Sequence, residues 1–228
     1  MTRVLKIGGR AQADPGLTSA IRAATTNDRV VVVHGGGDEV SALQRRLGLT
    51  PKFNDGRRVT TRDDLELVQM ALSGSANKRL VAALVSERVR AVGISGEDDG
   101  LLRARATSRE TLGEVGAPTR VDARLLELLM AGGVVPVISP LARDEDTGMP
   151  LNVNGDDAAA AIAIAIAADE LVLVADVPGV VVDGVVLPDL EVEQAIALID
   201  NGTARYGMAA KLQAARRAFR VIRQNLAW

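Results

Sequence analysis

Two kinds of block alternate along the chain. Short runs dense in branched aliphatic residues stand at Val4–Ile7, Val30–His34, Ala91–Ser95, Val134–Ser139 and Leu171–Ala175. Between them lie longer segments whose apolar residues recur every three to four positions. The first kind reads as strands buried on both faces, the second as amphipathic helices. The helices expected are Leu17–Ala24, Glu39–Leu47, Asp63–Leu72, Asn77–Glu87, Ala123–Ala131, Asp157–Ala168, Val192–Ile199 and Met208–Phe219. Ala and Ile alternate late in the Asp157–Ala168 run, which admits a strand, but its length and alanine content favour a helix. Val180–Val182 and Val185–Leu187 flank Asp183-Gly184, a hairpin pattern. Alternating strands and helices predict an α/β fold with a mainly parallel sheet and crossover helices. The whole chain, 1–228, reads as one domain. A polar, turn-forming stretch at Asp144–Gly148 marks an approximate lobe boundary, giving lobes 1–147 and 148–228. No long linker separates them, so the lobes should share one sheet.

Glycine punctuates this pattern at the strand ends. Arg29-Val30-Val31-Val32-Val33-His34 runs straight into Gly35-Gly36-Gly37, and the next helical pattern follows at once. Glycines there let backbone N–H groups approach an anion closely. A tight turn with no ligand would need only one glycine; this segment alone leaves both readings open. Gly8-Gly9 follow the first strand in the same way. Lys6 lies inside that strand, where a lysine is unusual unless its charge has a partner. An edge strand keeping the ammonium in water is the plain reading. A strand-end lysine flanked by N–H-rich turns is also a polyphosphate cradle, and we favour that. Neither turn carries the P-loop pattern or the dinucleotide fingerprint.

Composition narrows the chemistry. Hydrophobic residues make up 47% of the 228, enough for a substantial core, yet only 2% are aromatic. Base-stacking surfaces are therefore disfavoured, and a net charge of −2 leaves no basic footprint for nucleic acid. There is no cysteine and one histidine, His34, which excludes disulfides, thiolate chemistry and multi-histidine metal sites. The longest apolar run, Ala158 to Ala168, falls well short of the roughly 20 residues a membrane helix needs. No signal-peptide pattern opens the sequence, so a cytoplasmic protein is expected.

Further turns carry polar clusters. Asn152-Val153-Asn154-Gly155-Asp156-Asp157 precedes the alanine-rich helix. Asn154 or Asp156 suits a helix cap, but capping needs only one such residue, so a polar site is expected beside the cap. Gly207-Met208-Ala209-Ala210-Lys211 opens the last predicted helix. A cation in a first turn opposes the macrodipole unless a phosphate is bound; locally, an exposed lysine is the simpler reading. Arg58, in Gly56-Arg57-Arg58-Val59-Thr60, suits either a carboxylate clamp or solvent. Asn77-Lys78, Ser95-Gly96-Glu97-Asp98 and Asp176-Val177-Pro178-Gly179 are each weak signals alone.

In order and spacing, these motifs resemble the amino-acid kinase family, and within it the branch acting on N-acetyl-L-glutamate. The similarity spans Arg3 to about Phe219. It implies a three-layer αβα sandwich and ATP-dependent phosphorylation of a side-chain carboxylate in arginine synthesis. By that resemblance Lys6 and Lys211 stabilise the transferring phosphoryl group and Asp156 orients both lysines. Gly8, Gly9, Gly35 and Gly36 supply backbone donors. Gly36, Gly37, Arg58, Asn152 and Asn154 hold the acyl amino acid, the 1–147 lobe being its side. Asp176, Val177, Pro178, Gly179 and Met208 border ATP in the 148–228 lobe. Mg²⁺ is carried on ATP, with no dedicated protein metal site. The attacking carboxylate ionises near pH 4.3, so no histidine base is required.

Some positions depart from the family pattern. Glu97 stands where lysine is frequent, Ser73-Gly74-Ser75-Ala76 replaces a more apolar stretch, and Tyr206 replaces a glycine. The chain opens at the first strand, without the helix of arginine-inhibited hexamers, and closes soon after Arg220-Val221-Ile222. A homodimer is expected. The alternatives are the same chemistry on N-acetylaminoadipate, carrier-linked aminoadipate or N-succinylglutamate, or a metabolite sensor on the same fold.

Overall fold

The computed structural model describes residues 1–174 together with the strands Val180–Val182, Val185–Leu187, Asp189–Glu191 and Val221–Arg223. Predicted helices Val192–Ile199 and Met208–Phe219 lie outside the described residues. In chain order the elements are β1 (Thr2–Ile7), α1 (Leu17–Thr25), β2 (Arg29–His34), α2 (Gly37–Arg46), β3 (Phe53–Asn54), β4 (Arg57–Arg58) and α3 (Arg62–Gln69). There follow α4 (Asn77–Ser86), β5 (Ala91–Ser95), β6 (Leu102–Ala106), β7 (Val115–Val121), α5 (Arg124–Ala131), β8 (Val135–Ser139), β9 (Leu141–Asp144), β10 (Pro150–Val153), α6 (Gly155–Ala165) and β11 (Glu170–Val174). The last four strands, in the order given above, are β12 to β15.

Among the described residues the main sheet has the order β14-β15-β11-β1-β2-β8-β5. All its pairings are parallel except β14 with β15. β1 and β2 are therefore central strands, which explains their uninterrupted aliphatic character. Successive residues of a strand face opposite layers. Val31 and Val33 join Val4, Ile138 and Leu173 in one core with α5 and α6, through residues such as Leu126 and Ile162. Val30 and Val32 join Leu5, Ile7 and Val137 in the other, beneath α1 and α4 through Ile21 and Leu84. The result is the expected αβα sandwich.

The five predicted sheet strands and the helices up to residue 165 form within one to three residues of their expected ends, with one difference of kind. The helix expected over Asp63–Leu72 is α-helical only to Gln69. It continues as a π-helical segment, Met70–Ala76, that runs into α4. The segment contains Ser73-Gly74-Ser75, weak α-formers that offer little resistance to a wider turn. The Asp157–Ala168 helix starts earlier, at Gly155, because the Asn154 side chain accepts hydrogen bonds from the N–H groups of Asp156 and Asp157.

Seven short strands among the described residues lie outside the predicted set, β14 at the sheet's end being one of them. β10, β7, β6 and β9 close into a small ring beside the sheet, and β3 pairs with β4 as a two-residue hairpin. In β6 the sequence Leu-Arg-Ala-Arg-Ala alternates, with Leu102 and Ala104 buried; that period-2 signal was available. The Asp144–Gly148 stretch is the turn linking β9 to β10, whose strands pair antiparallel.

Gly93 shows how tightly the sheet holds α4. A Cβ built there would lie 1.8 Å from Asn77 Oδ1 and 2.9 Å from Lys78 Nζ. Gly93→Ala should lower unfolding free energy by about 1–3 kcal/mol in a urea titration. Gly74→Ala, which meets open space, serves as control. A Gly93→Ala protein as stable as that control would contradict this packing.

Candidate active site

Lys6 and Asp156 meet at the sheet's carboxyl edge. Lys6 faces the same side as Val4, toward the first turn of α6, and its Nζ lies 2.8 Å from Asp156 Oδ1. Both residues are buried, at 7% and 5% exposure. Since β1 is central, Lys6 is no edge-strand lysine reaching for water. Gly155 packs against the lysine stem: a Cβ there would sit 3.4 Å from Lys6 Cε, an ordinary contact. Asp156 also occupies a favourable end of α6, where the macrodipole stabilises an anion.

The glycine turns lie on either side of this pair's strand. Gly8 N–H donates to Val174 O at 2.9 Å and Gly35 N–H to Ile7 O at 2.7 Å, closing the strand ends. The two turns touch, for a Cβ on Gly9 would meet Gly36 N at 3.5 Å. Gly36 itself packs beneath the π-helical segment, where a Cβ would come within 2.6 Å of Leu72 Cδ2.

His34 is fully buried and holds the second turn. Its Nδ1 is 2.8 Å from Gly35 O and its Nε2 is 3.1 Å from Asn77 Nδ2. Asn77 Nδ2 also donates to Val137 O at 2.8 Å. With Asn77 donating, Nε2 is the acceptor and Nδ1 carries the proton. Burial lowers the His34 pKa, against the Gly35 carbonyl and Glu39, so the ring is neutral.

A cleft of about 220 Å³ opens beside the turns. Its walls bring together Gly35, Gly36, Gly37, Arg58, Asn152 and Asn154, all singled out in the sequence. They also include an apolar side the sequence did not reveal, with Val40, Val68, Leu72, Val115 and Phe53. These residues carry no chemical signature and converge only through folding. Arg58 is held firmly: Nη2 donates to Gly37 O (2.6 Å) and Ser41 Oγ (2.7 Å), and Nη1 to Gln44 Oε1 (2.6 Å). The Phe53 ring stacks below, 4.8 Å away. Burial pulls the Arg58 pKa down, partly offset by Asp64 and Asp38, yet a guanidinium stays charged in proteins. Burial acts to raise the Asp64 pKa, but hydrogen bonds from Thr61 and Gln44 and the charge of Arg58 outweigh it, leaving a net lowering. Asn152 Nδ2 donates to Thr60 Oγ1 at 3.0 Å, and Arg57 Nη2 lies 3.3 Å from Asp157 Oδ2.

Glu97 lies outside this cleft, accepting from Gln69 Nε2 at 3.1 Å and from Ser95 Oγ at 3.3 Å. Asp176, Val177, Pro178, Gly179, Met208 and Lys211 lie outside the described residues. Among the described residues no three His, Cys, Asp or Glu side chains converge on a metal position.

The chain is an α/β protein with a mainly parallel sheet, and its glycine turns and buried Lys–Asp pair lie at the carboxyl ends of the strands, where open sheets of this class form their ligand crevices. A model of the amino acid kinase family matches residues 1–223, and the chain belongs to that family. It is 45% identical over 219 residues to an acetylglutamate kinase of Chloroflexus aurantiacus, covering 93% of this chain and 85% of that one. An acetylglutamate kinase of Methanopyrus kandleri is 44% identical over 225 residues, covering 94% and 89%. Among solved structures, smu.665 from Streptococcus mutans UA159 superposes with a TM-score of 0.89 at 28% identity, covering 98% and 99%. A Giardia carbamate kinase shares the fold, with a TM-score of 0.68 at 14% identity over 94% and 88%.

The buried ring of His34 has a stability consequence. Its folded pKa lies below the unfolded value near 6.5. Its contribution is therefore complete above about pH 6.5 and is lost as pH falls through the folded value. Melting temperatures from pH 7.5 down to 5 should fall less steeply for His34→Asn, which does not titrate. Parallel curves for the two proteins would contradict a neutral buried ring.

Proposed function

We infer that the chain transfers the γ-phosphoryl group of ATP to the side-chain carboxylate of N-acetyl-L-glutamate, giving an acyl phosphate and ADP, a step of arginine biosynthesis. The observation that carries this reading is the Lys6–Asp156 pair between two glycine turns, beside a cleft whose polar wall presents Arg58. The high identity to acetylglutamate kinases supports the substrate.

The chemistry follows from charge. The substrate carboxylate is already ionised at neutral pH and needs no base. One of its oxygens bonds to the γ-phosphorus while the bond from phosphorus to the β–γ bridging oxygen breaks. The electron pair leaves with ADP, and no proton moves. The protein's task is to align the reactants and neutralise charge on the phosphoryl oxygens. Lys6 and Lys211 take that role, with Asp156 fixing Lys6. Gly9 and Gly36 offer N–H groups to the phosphates, while Gly8 and Gly35 anchor the turns to the sheet. Arg58, Asn152, Asn154 and Gly37 receive the α-carboxylate and acyl group. Asp176 to Gly179 and Met208 border the nucleotide. The lobe up to about residue 147 thus serves the acyl amino acid, and that from 148 serves ATP. Cationic side chains and N–H donors suit a metal that arrives on its phosphates; Mg²⁺ supplies further charge neutralisation when bound with ATP. The same reading makes the enzyme a cytoplasmic homodimer, and light scattering tests the mass.

An ADP-release assay with hydroxylamine trapping, comparing N-acetylglutamate, N-acetylaminoadipate and N-succinylglutamate, tests the reaction. Preferred turnover of N-acetylglutamate is expected; turnover of none of them by folded, ATP-binding protein would overturn it. Lys6→Met and Lys211→Met should each lose about 10²–10³ in turnover. Lys6→Met removes the Lys6 charge from beside buried Asp156, so Lys6→Arg, which keeps the charge, is measured beside it. Wild-type rates in a folded Met variant would remove that lysine from the mechanism. Arg58→Gln should raise KM for the acyl amino acid about 10- to 100-fold, the worth of a charge-assisted hydrogen bond, with a smaller effect on KM for ATP.

A further inference from the structure

The Gly35 carbonyl accepts two side-chain hydrogen bonds, one from its neighbour in the chain and one from the first glycine turn. One comes from His34 Nδ1 at 2.8 Å, the other from Gln12 Nε2 at 2.9 Å. Gln12 belongs to the 3-10 turn Arg10–Ala13 that follows Gly8-Gly9, and its own N–H donates to Gly9 O at 3.3 Å. One residue therefore ties the first glycine turn to the second. In a trans peptide the carbonyl and the following N–H point in opposite directions. Holding Gly35 O on the side of Gln12 and His34 turns the Gly36 N–H the other way, and Gly36 lines the cleft.

The neighbouring bonds leave this peptide little freedom. Gly35 N–H is fixed to Ile7 O at 2.7 Å. Leu72 of the π-helical segment crowds Gly36. Glycine flanking both sides of the peptide would otherwise allow it to flip cheaply. Gln12 also keeps an anomaly: its Oε1 is buried without a hydrogen-bond partner among the described residues. An unpaired buried acceptor costs about 1–3 kcal/mol. An apolar side chain of similar volume would avoid that cost but would forgo the bond from Nε2 to Gly35 O.

We propose that Gln12, acting with His34, is a positioning residue for phosphoryl transfer: it locks the Gly35–Gly36 peptide so that the Gly36 N–H is aimed at the transferring phosphoryl group. This rests on the reaction given above. Gln12 does not touch the substrate; it acts through the peptide. Its effect falls on a donor used most strongly when charge builds on the phosphoryl oxygens, so it belongs to kcat more than to ground-state binding.

Gln12→Met tests this, because it keeps the volume, removes the donor and relieves the unpaired oxygen. Its melting temperature should equal or exceed that of the wild type. Turnover of N-acetylglutamate should fall about 10- to 100-fold, with KM values for both substrates within about twofold. Affinity for ADP with aluminium fluoride should weaken by a similar factor while affinity for ADP alone stays constant. His34→Asn, whose Nδ2 can replace the Nδ1 donor, should retain more turnover than His34→Leu. A Gln12→Met protein with wild-type turnover and aluminium fluoride affinity would overturn the proposal. If the wild type phosphorylates no acyl amino acid, the reaction assigned above fails instead. The Gly36 amide resonance then decides the positioning role: single and sharp in wild type, shifted or broadened in Gln12→Met, with identical spectra counting against it.

Discussion

The structure turns on a lysine buried in its central sheet. A bare ammonium in such a place would be expelled or neutralised, since removing an ion from water costs several kcal/mol even after relaxation. Lys6 remains because Asp156 meets it at 2.8 Å. That partnership requires β1 to be flanked by β11 and β2 and α6 to begin opposite its carboxyl end. Each condition is structural, but together they leave a fixed positive charge at the sheet edge. Breaking one side of such a pair is strongly destabilising, so fold and chemistry are coupled at this point.

Around that charge the backbone does work that side chains do elsewhere. The two glycine turns approach closely: a Cβ on Gly35 would lie 3.3 Å from Gly9 N, and one on Gly36 would come within 2.6 Å of Leu72 Cδ2. Their outer hydrogen bonds are closed by Val174, Ile7, Gln12 and His34. His34, the one histidine, therefore serves as a neutral strut between Gly35 and Asn77. The reaction requires no proton transfer, which frees the imidazole for this role.

The acyl side is built differently. Arg58 sits on a two-residue strand and would be mobile alone, yet three of its hydrogen bonds reach α2 and Phe53 supports its face. Opposite, the π-helical segment places Leu72 against Gly36. The wider helical turn distributes side chains differently from an α-helix, and such segments are frequent at functional sites. Ser73 Oγ, 2.7 Å from Ser139 Oγ, fastens the segment to the end of β8. Ser73 thus contributes to the cleft's support.

By itself the sequence determined the α/β class, the five main parallel strands with the helices between them, and the glycine turns that end two of those strands. These properties rest on local periodicity and on glycine, both written in short windows. Lys6 stood out as a charge inside an aliphatic strand, and the family resemblance singled out Asp156, Arg58 and Asn152; the structure pairs the first two and sets the other two in one cleft. Tertiary structure alone decided that Lys6 lies on a central strand and that Asp64, Gln44 and Ser41 stand in the network around Arg58. It also decided that Val40, Val68 and Leu72 share one wall, and that Gln12 reaches Gly35. Those pairings join residues far apart in the chain. Nothing in a local window distinguishes an apolar residue facing a cleft from one facing the core, or a glutamine that latches a peptide from one in water.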